Sequence, residues 1–209
     1  MLIKCQVLQI STIELCVCMN KYVSVVGVFM IAVGISLGVA YWQGLHTFVF
    51  AWVLNFMLMM GVLHFTQTFK PKLSSTYYNS KRWEAEGMVY QWFGVHGFRK
   101  ILVWIGWEKL NKASKPVKKD LDALKQLEHG TRQSEFGHVI IFFIVLAVAI
   151  FVGVHHGFRE SIWLHLLNIV LNAYPIAVQR YNRPRLQRAI RMKKAFSLAR
   201  KNARSDHLQ

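Results

Sequence analysis

Phe136-Gly137-His138-Val139-Ile140-Ile141-Phe142-Phe143-Ile144-Val145-Leu146-Ala147-Val148-Ala149-Ile150-Phe151-Val152-Gly153-Val154 runs for nineteen residues without a formal charge. A helix of that length approaches the roughly 20 residues needed to cross hydrocarbon. Three more stretches repeat the pattern: 23–41 and 48–65 before it, and 162–178 after it. The expected fold is therefore an all-α integral membrane protein with four transmembrane helices, joined in the middle by amphipathic, interfacial helices. Trp42-Gln43-Gly44-Leu45-His46 and His155-His156-Gly157-Phe158-Arg159-Glu160 form the two short turns.

Charge supports the same reading. The chain has 209 residues, a mean hydropathy of +0.27 and a formal charge of +16. Such a charge on a soluble chain would suggest nucleic acid, but long uncharged runs argue against a nucleic-acid partner. Of the 26 lysines and arginines, only Arg159 lies in the two short turns. Positive charge gathers on the cytoplasmic side, next to anionic lipid. The expected topology has both termini cytoplasmic in a multi-pass protein of the cell membrane.

Around this framework, residues 1–18 read either as an extension of the gene model ahead of Met19 or as an amphipathic leader. Cys5, Cys16 and Cys18 all fall there and offer neither a disulfide framework nor a recurring metal-ligand spacing. Residues 19–190 form the expected membrane domain and 191–209 a basic cytoplasmic tail. Gly34-x-x-x-Gly38 in the first span suits close helix packing. The segment 69–134 mixes aromatic and charged residues, as helices lying in the interface do. Within it Phe98–Trp107 is too short to span, and 111–132 reads as loop or short surface helix.

Polar residues inside the spans are costly and mark packing contacts or sites. His165, Asn168, Asn172, Pro175 and Gln179 recur at three and four residues, so they share one face of the fourth helix. Pro175 lacks an N–H and frees a carbonyl one turn earlier. Glu135 and His138, three apart at the start of the third span, share a helix face. A carboxylate beside an imidazole suits a general base acting on a hydroxyl, and equally suits helix capping. Both features lie at one membrane face with Gln179-Arg180-Tyr181-Asn182-Arg183-Pro184-Arg185-Leu186. That cluster is either a topology anchor or the wall of a site. Histidine sets of membrane di-iron hydroxylases, a G-x-S-x-G elbow, an H-x-x-x-x-D box and a Gly-rich phosphate loop are absent from the sequence.

Asn172-x-x-Pro175-x-x-x-Gln179-Arg180-Tyr181-Asn182-Arg183-Pro184-Arg185-Leu186 resembles the C-terminal signature of the glycosyl-4,4'-diaponeurosporenoate acyltransferase family. Glu84-x-x-Gly87 with Tyr90, Gly94-Val95 and Arg99-Lys100, and Glu135-x-x-His138, resemble its other segments. The resemblance implies esterification of a sugar hydroxyl on a glycosyl-carotenoid or related glycolipid. The acyl donor would be a thioester such as acyl-CoA, with no further cofactor. On this reading His138 deprotonates the hydroxyl and Glu135 orients the imidazole ring. Asn172, Gln179 and Asn182 bind the sugar or the developing oxyanion, and Arg180, Arg183 and Arg185 grip donor phosphates. Tyr181, Glu84 and Tyr90 complete the substrate-binding set. Two alternatives stay open: a non-enzymatic membrane protein, and another membrane lipid enzyme such as a reductase or methyltransferase.

Overall fold

The computed structural model of the protein describes residues 2–92, 94–104, 106 and 121–206. Among them every regular element is helical: α1 Leu2–Gln43, α2 Phe48–Phe69, α3 Val89–Trp92, α4 Val95–Trp104, α5 Leu121–His156, α6 Ile162–Asn168 and α7 Tyr174–Asp206. Short 3-10 turns cover Thr76–Tyr78, Arg82–Gly87 and Phe158–Ser161, and a π-helical turn, Ile169–Ala173, joins α6 to α7. Four helical stretches are long and apolar enough to cross a membrane.

The chain divides into two compact units. One comprises residues 1–72 and 140–169, the other 73–139 and 170–209.

The first unit is built on greasy helical stripes. Phe50, Leu54, Leu58 and Val62, four apart on α2, pack with Ile141, Val145, Ala149 and Val152 of α5 and with Leu164 of α6. Their outer faces carry Trp52, Phe56, Phe143, Phe151 and Trp163 in the open. Between 17% and 39% of each apolar window is buried, so most of its surface suits hydrocarbon rather than water. Gly44, at φ 84°, makes the turn after α1, and Thr47 caps α2 by accepting from the Phe50 N–H at 3.2 Å. Asn168 donates to the Phe142 carbonyl at 3.0 Å. The Gly34/Gly38 pair does not make the close helix contact expected of it. No described atom lies within 4 Å of where a Cβ would stand, whereas Gly61 on α2 lies against the Phe29 ring.

Two boundaries differ from expectation. The third span is the C-terminal part of a 36-residue helix, about 54 Å long, that begins at Leu121 rather than at 136. Residues 121–135 have good helix formers, and Lys125–Asp122 and Arg132–Glu128 pairs three and four apart brace them. Residues 111–120 of the expected loop or short helix, and the Trp107 end of the short apolar stretch, lie outside the described residues. The fourth span continues through the basic tail as one helix to Asp206, with Pro184 inside it.

In the second unit α7 packs against the Arg82–Gly87 turn, α3 and α4. Val95, Val178 and Tyr181 form its apolar centre, flanked by Tyr90, Phe98 and Ala177. Gly87 is required twice over. Its φ of 92° disfavours a side chain, and a Cβ would stand 3.1 Å from both the Cα and the carbonyl oxygen of Tyr181. That contact lies beside the Arg180 carbonyl, which Pro184 leaves without its α-helical donor.

Candidate active site

The site residues expected from the sequence gather in the second unit, in two groups along α5. The first holds four charges out of water: Glu84, Glu135, Arg180 and Arg183 are 2%, 0%, 9% and 3% exposed. Two carboxylates and two guanidiniums sum to zero, and almost every donor has a partner. Arg180 bridges the carboxylates, with Nη1 2.6 Å from Glu84 Oε1 and Nε 2.7 Å from Glu135 Oε1, while Nη2 donates to the Tyr77 carbonyl at 3.3 Å. Arg183 pairs with Glu135 Oε2 and donates at 3.2 Å to the Thr131 hydroxyl and to the Tyr78 and Thr131 carbonyls. The rings of Tyr77 and Tyr78 lie 4.5 and 5.4 Å from these guanidiniums.

Local structure sets each carboxylate. Glu84 reaches back to the Lys81 N–H at 2.9 Å, as the third residue of a helical start does in a capping box. Its other oxygen takes a 2.9 Å bond from the Tyr90 hydroxyl. Burial alone would raise the Glu84 pKa, but the Lys81 N–H, Arg180 and Tyr90 outweigh it and hold the carboxyl below its ordinary value. Burial, and then the bond to Glu84, push the Tyr90 phenol up, so it remains a neutral donor. Burial followed by the Glu135 charge does the same to Tyr78.

This geometry corrects two expectations. Arg180 and Arg183 are committed to buried carboxylates and present no free fork to a donor phosphate. Glu135 spends both oxygens on those arginines and does not orient His138. Each correction has one cause: a buried guanidinium takes the nearest carboxylate, because leaving it unpaired would cost several kcal/mol.

His138 makes the second group with a different partner. Its Nδ1 lies 3.3 Å from Asn172 Oδ1, and it also hydrogen-bonds the Leu171 backbone. Leu171 is four residues before Pro175, so its carbonyl is the one that proline deprives of an α-helical donor. The π-helical turn carries both Asn172 and that carbonyl to the imidazole. With an amide oxygen facing Nδ1, the neutral ring keeps its proton there, and the lone pair able to accept is then that of Nε2. His138 is half-buried, unlike the sealed Glu135 one turn before it. Gln179 donates at 3.2 Å to the Oγ of Ser134, which also lies one turn before His138.

The remaining residues divide. Tyr181 is buried, its hydroxyl 3.3 Å from His96 Nε2, and the exposed Arg185 lies 3.6 Å over its ring. Asn182 is half-buried. His165 belongs to the first unit, stacked on Phe158 at 5.6 Å, whereas Asn172 and Gln179 belong to the second. His96 and Thr131 carry no local signal, and the carbonyls of Tyr77 and Tyr78 leave no trace in residue identity.

The model of one protein family matches residues 74–192, more than half of the chain. The chain belongs to the glycosyl-4,4'-diaponeurosporenoate acyltransferase family. No curated protein and no solved structure matches it. The family is one of acyltransferases in carotenoid biosynthesis, and every residue of both polar groups falls inside the stretch assigned to it.

Proposed function

We propose that the protein is a membrane acyltransferase that esterifies a sugar hydroxyl of a glycosylated carotenoid, or a related glycolipid, with a fatty acyl group. His138 carries the reading: a half-buried imidazole, its Nδ1 facing an amide oxygen, in the segment matched by an acyltransferase family. Nε2 takes the proton as the sugar oxygen attacks the thioester carbonyl, the new C–O bond forms and the C–S bond breaks. The departing thiolate then receives that proton from the imidazolium. Asn172 holds the tautomer and stabilises the charged ring. Gln179 and Asn182 hydrogen-bond the sugar or the oxyanion. The Glu84–Arg180–Glu135–Arg183 group fixes α7 and the 76–87 turns beside α5 and does not touch substrate. The enzyme sits in the cell membrane with both termini cytoplasmic, and its acceptor enters from the lipid.

The test supplies membranes containing the protein with labelled acyl-CoA and a glycosyl-carotenoid acceptor, and follows ester formation. Wild-type membranes should yield the sugar ester. A chain that inserts and folds but transfers no acyl group to either a carotenoid glycoside or a glycolipid would contradict the proposal.

A further inference from the structure

A groove of about 770 Å³ opens in the second unit, and none of the four sealed charges lines it. Three walls form it. The 79–82 turn supplies Lys81 and Arg82, α5 supplies Lys125, Glu128 and Arg132, and α7 supplies Gln187 and Arg191. Lys125, Glu128 and Arg132 fall at i, i+3 and i+7, so they share one face of α5. Pro184, Gln187 and Arg191 repeat that spacing on α7.

Five cations and one carboxylate line this groove, and the carboxylate is already engaged. Glu128 Oε1 receives Arg132 Nη2 at 2.7 Å and Gln187 Nε2 at 3.1 Å. Lys125 has a partner in Asp122, but that aspartate is 80% exposed, and an ion pair in water holds its members weakly. Among the described residues, Lys81, Arg82 and Arg191 have no carboxylate within ion-pair distance. Positive charge drawn from three separate elements around one concavity differs from a string of lysines along a solvated face.

We propose that this groove binds phosphate, as the diphosphate or phosphomonoester of an extended ligand. Lys81, Arg82 and Arg191 contact the oxygens directly, while Arg132, engaged by Glu128 and by its bond to the Leu73 carbonyl at 2.8 Å, holds the wall in place. Along α5 the groove residues lie six to thirteen positions before His138, about 9–20 Å at the helical rise. A ligand anchored here therefore needs a long arm to reach the imidazole. A nucleotide-bearing thioester has such an arm, and that identification rests on the acyl-transfer reading; the phosphate site itself does not. An anionic lipid headgroup shares the same phosphate chemistry.

The experiment measures binding to the full-length protein in nanodiscs without turnover, so its outcome is independent of catalysis. The probes are coenzyme A with phosphatidylcholine discs, and phosphatidylglycerol incorporated into the discs. K81E/R191E is compared with K194E/R200E, which reverses the same charge outside the groove. The groove variant should weaken binding of one probe by at least about tenfold, the control by less than about threefold, and R191K should restore part of it. Sensitivity to coenzyme A identifies a soluble source, and sensitivity to phosphatidylglycerol alone identifies a lipid source; both support the site. Equal loss in groove and control variants, or none in either, would overturn it. Binding that persists in a protein inactive as an acyltransferase would leave the site standing and remove only its thioester ligand.

Discussion

Glu135 and His138 stand one turn apart on α5, yet their surroundings follow opposite rules. Around Glu135 two acids and two bases close on one another with no net charge. Around His138 the partners carry no charge: the Asn172 amide oxygen at Nδ1 and the Leu171 backbone. A saturated buried cluster specifies position, because each member is costly to remove and none has a lone pair to spare. An imidazole with one side fixed can exchange a proton. On the proposed mechanism the chemistry belongs to the histidine and the rigidity to the carboxylates, although the sequence places them together as one pair.

Removing a charge from the sealed group is the strongest way to break this contrast. Glu135→Gln leaves two buried guanidiniums with one carboxylate and should cost about 3–5 kcal/mol of stability. Thermal unfolding in detergent would read it, and adding Arg183→Met should recover part of the loss. Arg180→Lys comes next. One ammonium cannot span two carboxylates as the guanidinium does, so about 2–3 kcal/mol should go, whereas a pure topology anchor would accept lysine without loss. Gly87→Ala should cost about 1–2 kcal/mol from its left-handed backbone and the contact with Tyr181.

The acid response sharpens the same comparison. Glu84 has its pKa depressed in the folded protein, so its contribution is present above the ordinary carboxylate value of 4.5 and fades as pH falls through its lower folded value. Melting temperature should therefore drop on acidification below about pH 4.5, and Glu84→Gln should flatten that drop.

Much of the fold could be read from the residues. The four spans follow from uncharged length, and the helical stripes of α2 and α5 follow from spacing. The starting point of α5 was not legible, because residues 121–135 are polar and their helicity depends on ion pairs three and four residues apart. The glycine pair in α1 misled because small residues permit close packing without supplying a partner.

At the site, Pro175 signalled a freed carbonyl, and His138 is the group that meets it. The partners of Glu135 could not be read locally, since Arg180 and Arg183 lie 45 and 48 residues away. Spacing on one helix identifies which side chains share a face. It does not tell which will be claimed by charges arriving from another element.

Acyl transfer per folded molecule in His138→Gln and Glu135→Gln, measured side by side at a temperature where both remain folded, tests the division of labour most directly. His138→Gln should lose about 10²–10⁴-fold in turnover with little change in melting temperature. Glu135→Gln should keep turnover within about tenfold while melting much lower. Full activity in His138→Gln, or a folded Glu135→Gln as inactive as the histidine variant, would contradict the account.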